Sequence, residues 1–196
     1  MPKKKKLSIP FYFPRMALNK LSIKIFNGLY YFLNRRKPRE SLVDLDSFFY
    51  PLDNIGDWNR IYGKKGFIQY QCVIPIQDSG TGITKILEAI SEAGLGSFLA
   101  VLKLFGPSGS GLCSFPCEGL TLALDFKYSP QTLKLCDRLD ELVKSYGGHL
   151  YITKDSRQSA KMFNDTHPGV KALKKFRKTS NADAVFSSAQ SQRLKL

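Results

Sequence analysis

The chain has 196 residues, with 30 Lys and Arg against 16 Asp and Glu, a formal net charge of +14, and 43% hydrophobic residues. That mixture can bury one core of ordinary size and excludes a disordered chain. No apolar run approaches the ~18 residues of a membrane span, and four cysteines are too few for a disulfide scaffold, so they read as small buried side chains in a reducing, cytoplasmic setting. A secretory leader is not expected, because Met1-Pro-Lys-Lys-Lys-Lys runs into a short apolar stretch broken by prolines.

The charge is uneven. Residues 1–40 carry +10, residues 41–150 carry −3 and residues 151–196 carry +7. Lys3–Lys6 reads either as a solvated tail or as an arm for phosphate or anionic lipid, and the charge alone names no partner. Residues 16–34 set Leu18, Leu21, Ile25, Phe26, Leu29, Tyr30 and Phe32 between Lys20, Lys24 and Asn27, which predicts an amphipathic helix with a wide apolar stripe. Residues 41–65, punctuated by Pro51, Gly56 and Gly63, read as loop.

From Gly66 the pattern sharpens. Phe67–Pro75 reads as a strand, Gly82–Ala93 as a helix ending at Gly94, and Ser97–Phe105 as a second strand. A Gly/Pro/Ser-rich connection over 106–118 leads to a third strand, Leu120–Lys127. Ser129-Pro130 is a strong helix start, with an N-cap followed by proline. That helix stops at Gly147-Gly148, and His149–Thr153 reads as a fourth strand. The order β-α-β-β-α-β predicts an α+β fold, a ferredoxin-like domain with an antiparallel sheet, flanked by helical N-terminal and C-terminal segments. The expected division is a basic N-terminal segment (1–40), a central domain (41–150) and a C-terminal segment (151–196) with a helix near 166–178.

Strand alternation sorts the sheet faces. One carries Ile68, Tyr70, Cys72, Ile74, Phe98, Leu102, Leu104, Leu122, Leu124, Phe126 and Leu150, and is expected under the helices. The other mixes Gln69, Gln71, Val101, Lys103, Phe105, Thr121, Asp125, His149 and Tyr151. It is too apolar for open solvent and too polar for a core, the usual mark of a surface that meets a ligand or another domain. For Lys103, spacing leaves two readings equally open: a lysine awaiting an anionic ligand, or one snorkelling off a sheet edge. Gln69 and Gln71 read either as hydroxyl-recognising amides or as a solvent-facing ladder.

Other chemistries lack their signatures. Cys113-x3-Cys117 has no zinc-knuckle spacing, His149 and His167 are distant in sequence, and no metal site is expected. Gly106-Pro-Ser-Gly-Ser-Gly111 lacks the ending of a P-loop and reads as a flexible loop.

Taken together, Phe49-Tyr-Pro-Leu-Asp53, Asp57-Trp-Asn-Arg60, Gly66-Phe-Ile-Gln-Tyr-Gln71, Ser97–Pro107, Leu124-Asp-Phe126, Gly147–Arg157 and the Phe186…Leu196 ending occur in one order. In that order the chain resembles the C-terminal half of FAD-linked oxidoreductases of the vanillyl-alcohol-oxidase superfamily, in the branch of decaprenylphosphoryl-β-D-ribose 2-oxidases and sugar-lactone oxidases. The resemblance implies a substrate-binding cap, with FAD bound mainly by a domain or subunit other than this segment. It implies oxidation of a secondary sugar hydroxyl, on a polyprenyl-phosphate-linked pentose or a sugar lactone, by hydride transfer to the flavin. Carried over by motif, Asn59, Gln69, Gln71, Lys103 and Phe105 look like substrate-binding residues, Lys154 like a catalytic cation, and Tyr151 and Lys154 like flavin neighbours. Residues 151–196 would then pack on the FAD domain, so that Val170, Leu173, Phe176, Val185 and Phe186 would lack burial without it. A polyprenyl-linked substrate implies cytoplasmic placement at a membrane surface. From another class, a ferredoxin-like sheet with basic tails also fits an RNA-binding or partner-docking module without catalysis, although the third strand lacks the aromatic pattern of an RNA-recognition motif.

Overall fold

The computed structural model describes residues 7–14, 20–38, 40, 42–50, 55–97 and 99–196. The sequence readings at Lys3–Lys6, Leu18, Pro51, Asp53 and Phe98 therefore lie outside the described residues.

The strand pattern forms the expected α+β domain. Strands β3 (Phe67–Pro75), β4 (Ala100–Phe105), β5 (Gly119–Lys127) and β6 (His149–Leu150) make an antiparallel sheet in the order β4-β5-β3-β6. Helix α3 (Ile76–Ala93) links β3 to β4, and α4 (Pro130–Ser145) links β5 to β6. Ser129 caps α4 as its sequence implies, its hydroxyl accepting from the Thr132 amide at 3.1 Å. Both helices cover the same face of the sheet, burying Ile68, Tyr70, Cys72 and Ile74 against Ile83, Ile86, Leu139 and Val143.

Five readings change. Helix α3 begins at Ile76, six residues before the expected start, because Gly80 and Gly82 are helical. At Gly82 a Cβ would sit 2.7 Å from Ile74 Cδ1 and 3.1 Å from Tyr146 Cγ, so glycine is what lets α3 lie this close to β3. The second strand starts at Ala100 rather than Ser97, and the fourth covers only His149 and Leu150 before the chain turns at 152–154. Leu102 and Leu104 alternate as expected but stay 54% and 69% exposed, since β4 is an edge strand and the helices lie over β5, β3 and β6. The stretch read as loop holds a short helix α2 (Leu45–Phe49), a strand β2 (Ile55–Gly56) paired in parallel with β1 (Leu7–Ser8), and a 3-10 turn at Trp58–Tyr62.

Helix α1 (Lys20–Arg35) lies between β1 and α2. The C-terminal segment forms α5 (Ala160–Thr166), α6 (Val170–Thr179), α7 (Ala182–Val185) and α8 (Ala189–Leu194); the helix expected over 166–178 is α6, which starts only after Pro168-Gly169. This segment is tied to the central domain. Met162 joins the main core, and both terminal guanidinium nitrogens of Arg157, Nη1 and Nη2, donate to Asp140 Oδ2, while Tyr70 OH donates to Asp140 Oδ1. Contrary to the sequence expectation, Val170 is buried, packed with Phe163 and Leu194 in a second small core. Phe176, Val185 and Phe186 are exposed. Among the described residues, no helix is long and apolar enough to cross a membrane.

Candidate substrate site on the open sheet face

The uncovered face of the sheet carries two adjoining concavities. One, of about 170 Å³, is lined by Gln69, Gln71, Leu99, Val101, Lys103, Thr121, Ala123, Asp125 and Lys154, among others. Its neighbour, about 370 Å³, is lined by Gln71, Phe105, Cys113, Phe115, Tyr151 and Thr153, among others. Gln71 lies on the border between them. The structure thus brings together Gln69, Gln71, Lys103, Phe105, Tyr151 and Lys154. Asn59 is different: it is exposed in the 3-10 turn and lines neither concavity.

Register accounts for the polar arrangement. Gln69 stands opposite Asp125 across β3 and β5, and Lys103 opposite Thr121 across β4 and β5. Gln69 Nε2 donates to Asp125 Oδ1 at 3.0 Å. A carboxylate only accepts, so the Gln69 amide is oriented with its NH2 inward and its carbonyl oxygen left for other partners. Gln71 is fixed one step further back. Thr121 donates its single hydroxyl proton to the Cys72 carbonyl at 2.8 Å, so Thr121 Oγ1 must accept from Gln71 Nε2 at 3.2 Å. Both amides therefore keep a carbonyl oxygen as the group with acceptor capacity to spare, suited to hydroxyl donors.

Asp125 is 3% exposed, and its Oδ2 has no hydrogen-bond partner among the described residues. Burial raises its pKa, opposed by the Gln69 hydrogen bond and the attraction of Lys154. Ser97 Oγ accepts from the Asp125 amide at 2.9 Å and anchors this stretch of β5. Burial, with Asp125's charge, raises the pKa of the Tyr62 hydroxyl, which is also buried without a hydrogen-bond partner among the described residues. Lys103 and Lys154 are exposed, which agrees with the edge-strand reading of Lys103 and leaves two cations at the rim of a face that holds one buried carboxylate. A larger concavity of about 670 Å³, lined by Tyr12, Phe13, Tyr62, Lys64, Lys65 and Tyr128, among others, shares no lining residue with the two on the sheet face and gathers none of the oriented amides.

Phe115 was not singled out by sequence, yet it joins Phe105 and Tyr151. It stacks on Tyr151 at 4.4 Å between centroids and meets Phe105 edge-on at 5.8 Å. Phe115 is 5% exposed and anchors the glycine-rich connection read as a flexible loop. The available signal was a lone aromatic within a Gly/Ser/Pro stretch. The structure also brings together His149 and His167, distant in sequence, with ring centroids 5.3 Å apart. His149 Nε2 bonds the Phe115 carbonyl at 3.0 Å, and His167 Nδ1 accepts from the Gly169 amide at 3.3 Å, so neutral rings satisfy both contacts. Burial lowers both pKa values, and the neighbouring His149 helps bring His167 down to about 4. No group of three or more His, Cys, Asp or Glu among the described residues is placed to hold a metal.

A domain of this kind, with helices on one face of the sheet and concavities on the other, occurs in many protein classes, and sequence comparison narrows the class. The chain is 36% identical over 193 residues, 97% of its length, to decaprenylphosphoryl-beta-D-ribose oxidase of Mycolicibacterium smegmatis, of which it spans 41%. It is 24% identical over 193 residues to a protein of Streptomyces coelicolor described as an uncharacterized protein in the mprA 5' region, spanning 50% of that protein. No protein-family model matches the chain. The resemblance to the decaprenylphosphoryl-ribose oxidase branch is thus shown along almost all of this chain, while the chain spans half or less of the curated relatives it matches.

Proposed function

We propose that the chain is the substrate-binding cap and C-terminal part of an FAD-dependent oxidoreductase that oxidises a secondary hydroxyl of a sugar, with a polyprenyl-phosphate-linked pentose as the favoured substrate and a sugar lactone as the second. The observation that carries this reading is the pair of oriented amides: Gln69 and Gln71 keep carbonyl oxygens as acceptors for sugar hydroxyls, and Lys103 at the rim suits an anionic substituent. Phe105, Phe115 and Tyr151 supply an apolar wall for the ring.

The residues present fit one side of a flavin site. Lys154 is an exposed cation beside the buried Asp125, and Tyr151 offers an aromatic edge next to it; these two would border the isoalloxazine. When bound, the flavin supplies the hydride acceptor. Lys154 would stabilise negative charge developing on the reacting oxygen, and Asp125 would hold Lys154 and the Gln69 amide in place. FAD itself would be held mainly by an FAD-binding domain or subunit, against which the exposed Phe176, Val185 and Phe186 of residues 151–196 would pack. Asp125 at the centre of the face disfavours phosphate-backbone binding and speaks against the RNA-module reading. Asn59 would act only if the 3-10 turn approached the bound sugar.

The test combines this chain with the FAD-binding domain of the M. smegmatis relative and follows flavin absorbance without oxygen. Bleaching by a polyprenylphosphoryl ribose is expected only when both parts are present. Lys103→Ala should raise KM roughly tenfold to a hundredfold, as loss of a charge-assisted contact implies, while flavin affinity stays unchanged. A stably co-eluting complex whose flavin no sugar reduces would overturn the proposal.

A further inference from the structure

Helix α1 has a surface that a water-soluble domain does not ordinarily leave open. Ile25, Leu29, Phe32 and Leu33 recur at helical spacing on one side, and Ile25 and Leu29 are 61% and 56% exposed. Lys24, Asn27 and Arg35 occupy the other side. The described body holds this helix near its first turns, where Ile23 packs so closely on Gly96 that a Cβ there would lie 2.7 Å from Ile23 Cδ1. The rest of the stripe faces outward. Residues 20–38 contain Lys20, Lys24, Arg35, Arg36 and Lys37 and no acid, and Arg36 lies 4.3 Å above the Phe32 ring. Tyr30 and Tyr31 add two amphipathic rings of the kind that settle at a bilayer's polar boundary.

We propose that α1 is an interfacial helix that seats this protein on an anionic lipid surface. Sixteen residues rise about 24 Å, too short to span a bilayer but suited to lying in its interface, apolar side down and cations among the headgroups. The charge selects the occupant. A second copy would set five like charges against five, whereas acidic headgroups neutralise them. The inference uses neither the sugar nor the flavin of the catalytic reading.

The test floats the full chain with vesicles of phosphatidylcholine alone and of equal parts phosphatidylcholine and phosphatidylglycerol. Binding is expected on the anionic vesicles, with at least tenfold weaker partitioning when Ile25→Asp and Leu29→Asp place charge in the stripe. Arg35→Gln, Arg36→Gln and Lys37→Gln together should weaken it by roughly tenfold or more on anionic vesicles only. Because a variant can fold differently, hydrogen exchange on the native chain gives a second readout: vesicles should slow exchange in α1 and leave β3 and β5 unchanged. No binding, no added α1 protection, or binding that survives the two aspartates and disappears in high salt would overturn the proposal. A concentration-dependent dimer abolished by the two aspartates, without vesicle binding, would overturn it in favour of a second copy.

Discussion

Replacing His167 with asparagine should flatten the acid dependence of stability. In the folded chain His167 is 4% exposed, and burial together with the neighbouring His149 lowers its pKa to about 4 from an ordinary 6.5. The folded state therefore favours the neutral ring, and the unfolded chain takes up a proton first as pH falls through 6.5. Stability from this group is complete above that pH and is lost on acidification towards pH 4. Between pH 7.5 and pH 5 the linkage relation gives a loss of about 2 kcal/mol for a fully shielded ring, and about 1 kcal/mol after allowance for solvent screening. Asparagine can still offer an oxygen to the Gly169 amide but does not titrate. Asp140, pushed up to about 6 by burial, titrates in the opposite sense and gains stability as pH falls, so the difference between variant and native is the informative quantity. Urea unfolding followed by circular dichroism at pH 7.5, 6 and 5 measures it. The native chain should lose about 1 kcal/mol more than the variant over this range. Equal losses would show that the ring is not held neutral by the fold, and the placement of the His149–His167 pair would be wrong.

Ser129→Ala should lower stability by about 1 kcal/mol, read as a shift in the urea midpoint, because the Thr132 amide loses its cap. Gly82→Val should cost about 1–3 kcal/mol or more by the same assay, since its branched side chain would drive α3 away from Ile74 and Tyr146. Arg157→Met should destabilise by about 3 kcal/mol by leaving the buried Asp140 charge to Tyr70 alone, and adding Asp140→Asn should recover most of that loss. In hydrogen exchange of the chain alone, α5 should be protected with β3 and α4, while α6 and α7 exchange quickly; uniform protection through α7 would contradict the exposure of Phe176 and Val185.

Much of the central domain was legible because the signals are local. Period-two alternation over Phe67–Pro75 and Leu120–Lys127 comes from the backbone itself, and Ser129-Pro130 starts a helix through capping and a fixed φ that need no distant partner. The same alternation placed Gln69, Gln71, Lys103 and Asp125 on one face before any pairing was known. Tertiary structure decided what depends on neighbours in space. The sequence pattern starts the helix at Gly82, yet α3 runs back through Gly80 to Ile76, and its close approach to β3 leaves no room for a larger residue at 82. Leu102 and Leu104 follow the pattern of a core and remain exposed, since alternation says which side a residue faces but not whether a helix covers it. Phe115 and the two histidines meet only because the 106–118 connection and the turn before α6 fold against β6. Residue types named two amides; cross-strand register oriented them, because only the fold sets a carboxylate opposite Gln69 and a committed hydroxyl beside Gln71, and that choice decides which hydrogen bonds a ligand must make.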